Sequence, residues 1–502
     1  MNITTLLEMA ADGFPDRIAL GGRSNRLTYA ELLQSSLAAA GIIRDAGAKH
    51  IALLDANSAA APIALFGAAY AGVPYVPLNY RLTDDELHAL ASRVVPAILV
   101  GGDDTLGRLR IPDGICAIDR TAFLGSLANE PDAQPTPSDD ESLTAVHLFT
   151  SGTTGTPKAA ILRHANLMSY ILGTVEFASA DEADATLISV PPYHIAGISV
   201  LLSSVYAGRR MVMLDSFDAS EWLRTCEAER ITYAFVVPTM LARIIDVLAE
   251  SAGRYDLSAL RAITFGGGRM PLAVISKAME LLPNVDFTNA YGLTETSSTI
   301  CLLRPDDHRA AVQSEDPVVR RRLASVGRPT GAIELEIRDD NARALPPGAL
   351  GQVHVRGGQV AGEYLGVGST LDDDGWFATR DRGYLDEGGF LFLDGRADDV
   401  IVRGGENISP GEVEETLLLH PAVLDATVIA VPDDHWGEAV GAAIVLRDGK
   451  SASAADLQIW VRDRLRSSRV PTIIQFRSEL PYNEVGKILR RVIRDEFKDL
   501  KR

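Results

Sequence analysis

The 502-residue chain has few cysteines, no long uninterrupted apolar run and a deficit of positive charge. Its three cysteines, Cys116, Cys226 and Cys301, lie far apart and form no C-x-x-C pair or Cys/His cluster. Such spacing predicts neither a disulfide framework nor a zinc site, and it fits a reducing compartment. The net charge of −19 argues against nucleic acid or an anionic membrane surface as the main partner.

One segment without charge, residues 57–80, is long enough to span a bilayer. Prolines and glycines interrupt it at Pro62, Gly67, Gly72, Pro74 and Pro77. We therefore expect a buried helix, a turn at Gly72 and a strand around residues 75–76 instead of an integral membrane segment. The N-terminus also lacks the basic and apolar regions of a secretory signal, so we expect a cytoplasmic protein.

Strand-like and helical runs alternate along most of the chain. Buried strands are expected at residues 51–54, 97–100, 186–190 and 211–214, and helices at 61–70, 220–229 and 240–250. This alternation predicts an α/β fold with layered, largely parallel sheets. A smaller α+β unit is expected from residue 398, with helices at 410–419 and 454–466 and strands at 426–430 and 442–446.

Residues 150–158, with the sequence TSGTTGTPK, concentrate hydroxyls and glycines before a lysine. Glycines let successive backbone N–H groups point at one place, hydroxyls add donors and the lysine adds a positive charge, which together suit a polyphosphate. The spacing is not that of a Walker A loop, because a proline precedes the lysine and an alanine follows it. A flexible surface loop is the alternative interpretation.

Five segments, in order, resemble the signatures of the adenylate-forming superfamily, which contains acyl- and aryl-CoA synthetases, peptide-synthetase adenylation domains and beetle luciferases. They are residues 148–158, Asn289–Glu295 (NAYGLTE), Gly375–Asp381 (GWFATRD), Gly395–Glu414 and Pro481–Lys487 (PYNEVGK). The resemblance covers nearly the whole chain and is nearest in style to 4-chlorobenzoate:CoA ligase and medium-chain acyl-CoA synthetases.

The resemblance implies a fold and a reaction. The expected fold has a large N-terminal domain of layered αβ subdomains, residues 1–397, and a small mobile α+β lid, residues 398–502, with a hinge at Asp398. In the expected reaction a carboxylic acid and ATP give acyl-AMP and pyrophosphate, and the thiol of coenzyme A then displaces AMP. ATP, Mg²⁺ and coenzyme A are the implied cofactor and co-substrates. Because two anions meet in the first step, catalysis should depend on charge neutralisation and alignment.

The resemblance also assigns residues to the nucleotide. The phosphates are expected to contact Thr150, Ser151, Gly152, Thr153, Thr154, Gly155 and Lys158. Thr294 is expected to bond a phosphate oxygen and Glu295 to help hold Mg²⁺, which prefers carboxylate and phosphate oxygens. An exposed helix-start acid is the alternative for Glu295. The remaining ATP-binding residues are expected to be Gly267, Gly268, Asn289, Ala290, Tyr291 and Gly292, with Tyr291 stacked on adenine or else in the core.

The ribose hydroxyls are expected to bond Asp381, and Arg396 is expected to reach the ribose and phosphates with its planar guanidinium. Arg380 is a departure from the family, many members of which have glycine at this position. This departure leaves the local backbone conformation in question.

The resemblance names Lys487 as the main catalytic residue, with a solvated lysine as the alternative. Its ammonium is expected to contact both the incoming carboxylate and the α-phosphate. The lid is then expected to turn at Asp398 and to present Gly404, Gly405 and Glu406, so that a narrow tunnel admits the pantetheine arm of coenzyme A.

The acid is expected to lie beside His194, for which a structural histidine is the alternative. The expected pocket walls are His194, Phe235, Gly268, Gly292, Ser297 and Ser298. Because these are mostly small or apolar, an aromatic or a medium- or long-chain fatty acid fits. Arg243 and Arg269 leave a dicarboxylate such as malonate open, and the sequence does not name the acid.

Three rival functions remain open at this point. The first is a stand-alone adenylating enzyme that loads an acyl carrier protein, the second a luciferase-type oxygenase and the third a non-catalytic nucleotide-binding protein. The third is disfavoured because Lys158, Glu295, Asp381 and Lys487 are all present. The sequence leaves the oligomeric state open, a homodimer included.

Overall fold

The computed structural model describes residues 1–22, 26–127, 136–150, 157–251, 253–396, 399–433, 435–483 and 488–499. The chain divides into two compact units. The first comprises residues 1–334 and 355–377, and the second comprises residues 335–354 and 378–502.

The α-helices of the described residues, in chain order, are α1 (Thr4–Gly13), α2 (Tyr29–Asp45), α3 (Ala60–Ala71), α4 (Asp84–Ala91), α5 (Asp103–Leu106), α6 (Arg120–Ser126), α7 (His164–Thr174), α8 (Ile195–Ala207), α9 (Ala219–Ala228), α10 (Pro238–Ser251), α11 (Leu272–Leu281), α12 (Pro305–Gln313), α13 (Pro317–Arg321), α14 (Pro410–Leu418), α15 (Ala454–Arg462) and α16 (Arg490–Asp499).

The strands of the same residues are β1 (Ile18–Leu20), β2 (Leu27–Thr28), β3 (His50–Leu54), β4 (Tyr75–Pro77), β5 (Ala97–Gly101), β6 (Ile115–Asp119), β7 (Thr144–Thr150), β8 (Lys158–Arg163), β9 (Ala185–Ile188), β10 (Arg210–Met213), β11 (Tyr233–Val236), β12 (Ala262–Gly266), β13 (Asp286–Leu293), β14 (Ser298–Leu303), β15 (Arg328–Pro329), β16 (Glu334–Arg338), β17 (Gly351–Arg356), β18 (Glu363–Tyr364), β19 (Gly368–Ser369), β20 (Phe377–Leu385), β21 (Leu391–Arg396), β22 (Ile401–Arg403), β23 (Glu406–Ile408), β24 (Val423–Asp433), β25 (Gly437–Leu446) and β26 (Ile473–Arg477).

Two large sheets with parallel centres organise the first unit. One has the order β15-β14-β13-β12-β11-β9-β10-β1-β2, and the strands from β13 to β1 run parallel. The other has the order β19-β18-β8-β7-β4-β3-β5-β6, and the strands from β7 to β6 run parallel. The predicted α/β fold with largely parallel sheets is thereby confirmed.

Helix α3 lies at the centre of the first unit's core and explains the charge-free segment. Every residue from Ala60 to Tyr70 is buried, so no face of this helix needs polar side chains. A Cβ at Gly67 would lie 2.8 Å from that of Ala39 on α2, so a larger residue would push the two helices apart. Gly72 ends α3 with a φ of 71°, and β4 follows. The prediction of a buried helix, a turn and a strand is confirmed.

The remaining sheets are smaller. One has the order β16-β17-β20-β21, and the other has the order β23-β22-β25-β24, with β26 pairing parallel to β25. Helix α14 packs its buried face, which includes Val413 and Leu417, into the core under β24 and β25. This part of the chain has the α+β architecture that the sequence predicts.

Two further observations bear on the whole described chain. Cys116 is exposed on β6, whereas Cys226 and Cys301 are buried, and burial raises the pKa of both buried thiols. Within the described residues no helix is both long and apolar enough to cross a membrane.

Candidate active site

The predicted phosphate-binding segment connects two adjacent antiparallel strands of the first unit. Strands β7 and β8 pair up to Thr150 and Lys158, and the Thr150 hydroxyl donates to the Lys158 carbonyl over 3.4 Å. The Arg93 guanidinium donates to the Pro157 carbonyl over 2.7 Å and lies 4.9 Å from the Phe149 ring centroid, which fixes the base of the connection. Ser151, Gly152, Thr153, Thr154 and Gly155 lie outside the described residues.

The NAYGLTE motif begins in the last part of β13, where neighbouring backbone segments approach closely. A Cβ at Gly292 would lie 1.8 Å from the Ser298 carbonyl oxygen, because β14 bulges towards it after Tyr291. Only glycine fits this approach. Asn289 is buried and donates its side-chain amide to the Ser325 carbonyl over 3.3 Å, and Ala290 is buried beside it.

Glu295 lies in a half-buried one-turn 3₁₀-helix, residues 294–296, that follows β13. Its carboxylate accepts a hydrogen bond from the Tyr364 hydroxyl, and its backbone carbonyl accepts from Ala361 N over 2.8 Å and Gly362 N over 3.1 Å. The Lys158 ammonium lies 5.7 Å from the Tyr364 ring centroid. Tyr364 therefore contacts both the predicted phosphate lysine and the predicted magnesium ligand. Glu295 does stand in the first turn of a helix, as the alternative interpretation has it, but it is half-buried and not exposed.

His194 precedes α8 and is half-buried, and its ring centroid lies 4.6 Å from that of Tyr193. Burial, followed by the positive charge of Arg81, lowers the pKa of His194 to about 4. Its Nε2 atom is buried and has no hydrogen-bond partner within the described residues. The ring is therefore neutral at pH 7, and its buried Nε2 makes no hydrogen bond to any described residue.

Two serines of the predicted acid pocket have unusual backbone conformations. Ser297 and Ser298 are both buried, with φ of 53° and 115°, which non-glycine residues rarely adopt. The Ser298 hydroxyl donates to that of Ser199 on α8 over 3.1 Å. The Gln359 amide donates to the carbonyls of Thr296 and Thr299 over 3.0 and 2.9 Å. These two hydrogen bonds hold the residues on either side of Ser297 and Ser298 and so stabilise the strained turn.

The glycine-rich turn after β12 contributes two predicted site residues. Gly267 has a φ of 82°, and both Gly267 and Gly268 are exposed. The preceding Gly266 is the crowded position, since a Cβ there would lie 2.3 Å from the Ala290 carbonyl oxygen and 3.4 Å from the ring of Phe235. Phe235 therefore lies next to this turn.

The first unit brings two sets of predicted site residues near one another. Lys158 and Glu295 both contact Tyr364. Ser298 bonds Ser199 on α8, the helix that His194 precedes. Arg243 and Arg269, the residues that leave a dicarboxylate open, are both exposed.

In the second unit Asp381 and Arg396 face each other across β20 and β21. Arg396 Nε donates to Asp381 Oδ1 over 3.1 Å, and the side chain of Asp381 is largely buried. Arg380 has a φ of 64°, so the backbone keeps a left-handed conformation that favours glycine although an arginine stands there. The departure from the family therefore leaves this conformation in place.

The predicted coenzyme A segment forms the turn between β22 and β23. Gly404 and Gly405 have φ of 58° and 84°, and a Cβ at Gly404 would lie 2.7 Å from the ring of Trp436. Trp436 is 54% exposed, so an aromatic surface stands open beside the turn. Arg469 bonds the carboxylates of Glu406 and Glu412, and this contact with Arg469 lowers the pKa of Glu406.

Two predicted residues of the second unit cannot be placed. Lys487 and the hinge residue Asp398 lie outside the described residues, and the predicted boundary between residues 397 and 398 stays a prediction. The structure does describe the chain before and after this lysine, where Tyr482 and Ile488 form an antiparallel bridge.

Sequence reasoning missed Tyr364 and Trp436. Tyr364 lies 69 positions from Glu295 in the chain, and Trp436 lies in the turn between β24 and β25, so no local motif points to either residue. Trp436 could have been noticed in the sequence because it stands in a polar turn, where a large exposed aromatic residue is unusual and indicates a binding surface.

Known proteins resemble this chain over nearly its whole length. The AMP-binding enzyme family matches residues 7–365, and the AMP-binding enzyme C-terminal domain matches residues 412–487. A fatty acid–[acyl-carrier-protein] ligase of Streptomyces coeruleorubidus is 32% identical over 494 residues, which cover 94% of this chain and 92% of that protein. A 2-succinylbenzoate–CoA ligase of Bacillus mycoides is 31% identical over 486 residues, 96% of each protein.

A solved structure is also similar over the full length. The o-succinylbenzoate CoA synthetase of Bacillus subtilis, in complex with its acyl-adenylate intermediate, has a TM-score of 0.83 at 29% identity, and the match covers 98% of both chains. The present chain belongs to the AMP-binding enzyme family, within the adenylate-forming superfamily.

Proposed function

We propose that this protein is an ATP-dependent acid:CoA ligase whose substrate is an aromatic or a medium- or long-chain fatty acid. The observation that carries the proposal is the group formed by Lys158, Tyr364 and Glu295 beside the predicted phosphate segment. The Lys158 ammonium lies over the ring of Tyr364, and the Glu295 carboxylate bonds the hydroxyl of the same tyrosine. The relatives named as CoA ligases, which match this chain from end to end, support the same reaction.

In the first half-reaction, the first unit would bind the triphosphate of ATP. Lys158 and Thr150 lie at the two ends of the phosphate segment, where an ammonium and a hydroxyl suit phosphate oxygens. Thr294 would add a further hydroxyl. Their shared effect is to offset the negative charge that develops as pyrophosphate leaves.

Magnesium fits Glu295. The carboxylate is half-buried and already oriented by the Tyr364 hydroxyl, and Mg²⁺ in nucleotide sites is typically held by one or two carboxylates together with the phosphates. When bound, the ion would neutralise phosphate charge and align the pyrophosphate leaving group.

The acid would be oriented by His194 and enclosed by Phe235, Gly268, Gly292, Ser297 and Ser298. Because its pKa is about 4, His194 remains neutral at pH 7 and can donate or accept one hydrogen bond without adding charge. Its buried Nε2, which has no hydrogen-bond partner in the part of the chain that the structure describes, supports this role. The residues Arg243 and Arg269 are exposed, which favours an uncharged tail over a second carboxylate.

The second unit would supply the remaining groups for ATP. Asp381, held by Arg396, would accept hydrogen bonds from the ribose hydroxyls. Lys487 would approach the carboxylate and the α-phosphate and reduce the repulsion between them, a contribution that is typically worth a few kcal/mol in the barrier.

In the second half-reaction, coenzyme A would approach along the turn that contains Gly404 and Gly405. The absence of side chains leaves room for the pantetheine arm, and the exposed ring of Trp436 offers it an apolar surface. Trp436→Ala should therefore slow thioester formation while leaving acyl-AMP formation unchanged.

Loading of an acyl carrier protein is the second candidate function. A specific finding favours it, because the Streptomyces relative at 32% identity is named as a fatty acid–[acyl-carrier-protein] ligase. Coenzyme A and a phosphopantetheine carrier present the same thiol arm, so thioester formation must be compared with both acceptors at equal concentration.

The deciding experiment measures pyrophosphate release with MgATP over a panel of aromatic, short-, medium- and long-chain acids, with and without coenzyme A. Lys487→Ala should abolish release, whereas Lys450→Ala, at an exposed turn of the same unit, should not change it. No release with any acid would refute the proposal. A cytoplasmic location and a homodimer stay predictions, which cell fractionation and sedimentation test.

A further inference from the structure

The two ends of the segment that contains Lys487 are joined by backbone contacts within the second unit. Tyr482 and Ile488 form an antiparallel bridge, and Leu489 N donates to the Pro481 carbonyl over 2.8 Å. These four residues form a hairpin base, which joins the chain before residue 483 to the chain after residue 487. Whatever fixes this base also limits where the ends of the segment can lie.

A side-chain contact fixes the first end of the hairpin base. The Tyr482 hydroxyl donates to Asp425 Oδ2 on β24, and Asp425 Oδ1 accepts from Ala426 N over 2.9 Å. Burial raises the pKa of Asp425, whereas the hydrogen bonds from Tyr482 and Ala426 N favour its charged form. Tyr482 is 36% exposed, so packing encloses it only in part, and the hydroxyl contact adds a directed attachment to β24.

An ion-pair network fixes the other end. Arg490 Nη2 donates to Glu414 Oε1 and Oε2 over 2.7 and 2.9 Å, and Arg490 Nη1 lies 3.6 Å from Asp399. Glu414 Oε1 also accepts from Val428 N over 2.8 Å and from the Thr427 hydroxyl over 3.1 Å. Both ends of the hairpin are thus attached to the stretch of β24 that runs from Asp425 to Val428.

We infer that the Tyr482 hydroxyl is a positioning group for the adenylation half-reaction, because it anchors on Asp425 one end of the segment that contains Lys487. The inference rests on the proposed function. A lysine side chain is long and flexible, and its ammonium must meet two anions at once, so part of its alignment has to come from a fixed backbone. Removing Arg490 would leave the buried Glu414 carboxylate without its charged partner and is expected to be strongly destabilising, whereas the half-exposed Tyr482 can be changed alone.

The test is Tyr482→Phe, assayed with the panel acid that gives the fastest pyrophosphate release. The kcat of acyl-AMP formation should fall on the order of 10- to 100-fold, because a misplacement of about 1 Å has an effect of this size. KM for ATP should change less than about twofold, since Tyr482 is not among the residues proposed to bind the nucleotide. Thioester formation from presynthesised acyl-AMP should remain at the wild-type rate.

A matched control exists in the first unit. Tyr70→Phe removes the same kind of bond, from a tyrosine hydroxyl to Glu8 Oε1 over 2.9 Å, and should change neither half-reaction. Asp425→Asn keeps an acceptor and should retain most of the adenylation rate, whereas Asp425→Ala should behave like Tyr482→Phe. The double variant Tyr482→Phe/Asp425→Ala should lose no more than either single variant, because both act through one bond.

Two results would overturn the inference: an unchanged adenylation rate in Tyr482→Phe, or an equal loss in both half-reactions, which a merely weakened second unit would produce. Lys487→Ala, measured in parallel, separates the positioning role of Tyr482 from the catalytic role of Lys487. If Lys487→Ala stops adenylation while Tyr482→Phe does not affect it, only the positioning role fails. If Lys487→Ala remains active, the assignment of the catalytic lysine itself fails.

Discussion

The contact between Tyr364 and Glu295 allows a quantitative prediction for Tyr364→Phe. The substitution removes one hydroxyl and keeps the ring on which the Lys158 ammonium lies. A hydrogen bond to a charged group contributes about 1.5–3 kcal/mol net. If the whole of this contribution is needed to present the carboxylate to magnesium in the transition state, kcat/KM for ATP should fall roughly 10- to 150-fold.

The loss should come with a change in metal dependence that a general loss of stability would not produce. The backbone of Glu295 stays in place, because Ala361 N and Gly362 N still bond its carbonyl. Only the carboxylate gains freedom, so the magnesium concentration for half-maximal pyrophosphate release should rise. The assay is a magnesium titration at fixed ATP for the wild type, Tyr364→Phe and the control Tyr70→Phe. Equal midpoints and rates in all three proteins would refute the reasoning.

Three further predictions concern stability and backbone geometry. Burial lowers the pKa of His147 and of His164 to about 4, so the folded state remains unprotonated where the unfolded state binds protons. The free energy of unfolding should fall by about 2 kcal/mol per histidine between pH 7 and pH 5, as measured by urea titration, and equal values at both pH would contradict this. Arg380→Gly should raise the free energy of unfolding by up to about 1 kcal/mol, because it relieves a φ of 64°, and a destabilised variant in the same titration would contradict it. Gly292→Ala should lower pyrophosphate release by on the order of 100-fold, because its Cβ would lie 1.8 Å from the Ser298 carbonyl oxygen, and near wild-type release would show that the bulge can move.

The sequence predicts those elements whose pattern is local. The charge-free run with Gly72 at its end predicts α3, the turn and β4, because burial on all sides and a left-handed cap each leave a local sequence signal. The predicted strand at residues 186–190 is observed as β9, which ends at Ile188. Its last two residues are not in the strand because Pro191 and Pro192 follow, and neither has an N–H to continue the ladder.

The candidate site is predictable only in part. The motifs identify Lys158, Glu295 and Asp381, since their chemistry is written in contiguous residues. They do not identify Tyr364, which reaches Glu295 from a distant strand, because a sequence pattern carries no information about contacts made through the folded chain. The left-handed conformation of Ser297 is missed for a related reason, since tertiary packing there overrides the local preference of the residue. At Arg380 the sequence left the backbone conformation open, and the structure shows it to be left-handed.

The unequal exposure of the three thiols has a practical consequence. A maleimide dye should attach to Cys116 alone, because the sulfur atoms of Cys226 and Cys301 are enclosed and their raised pKa values disfavour the reactive thiolate. The wild-type chain therefore offers one fluorophore attachment point without prior removal of native cysteines, and a second label for distance measurements requires a single introduced thiol.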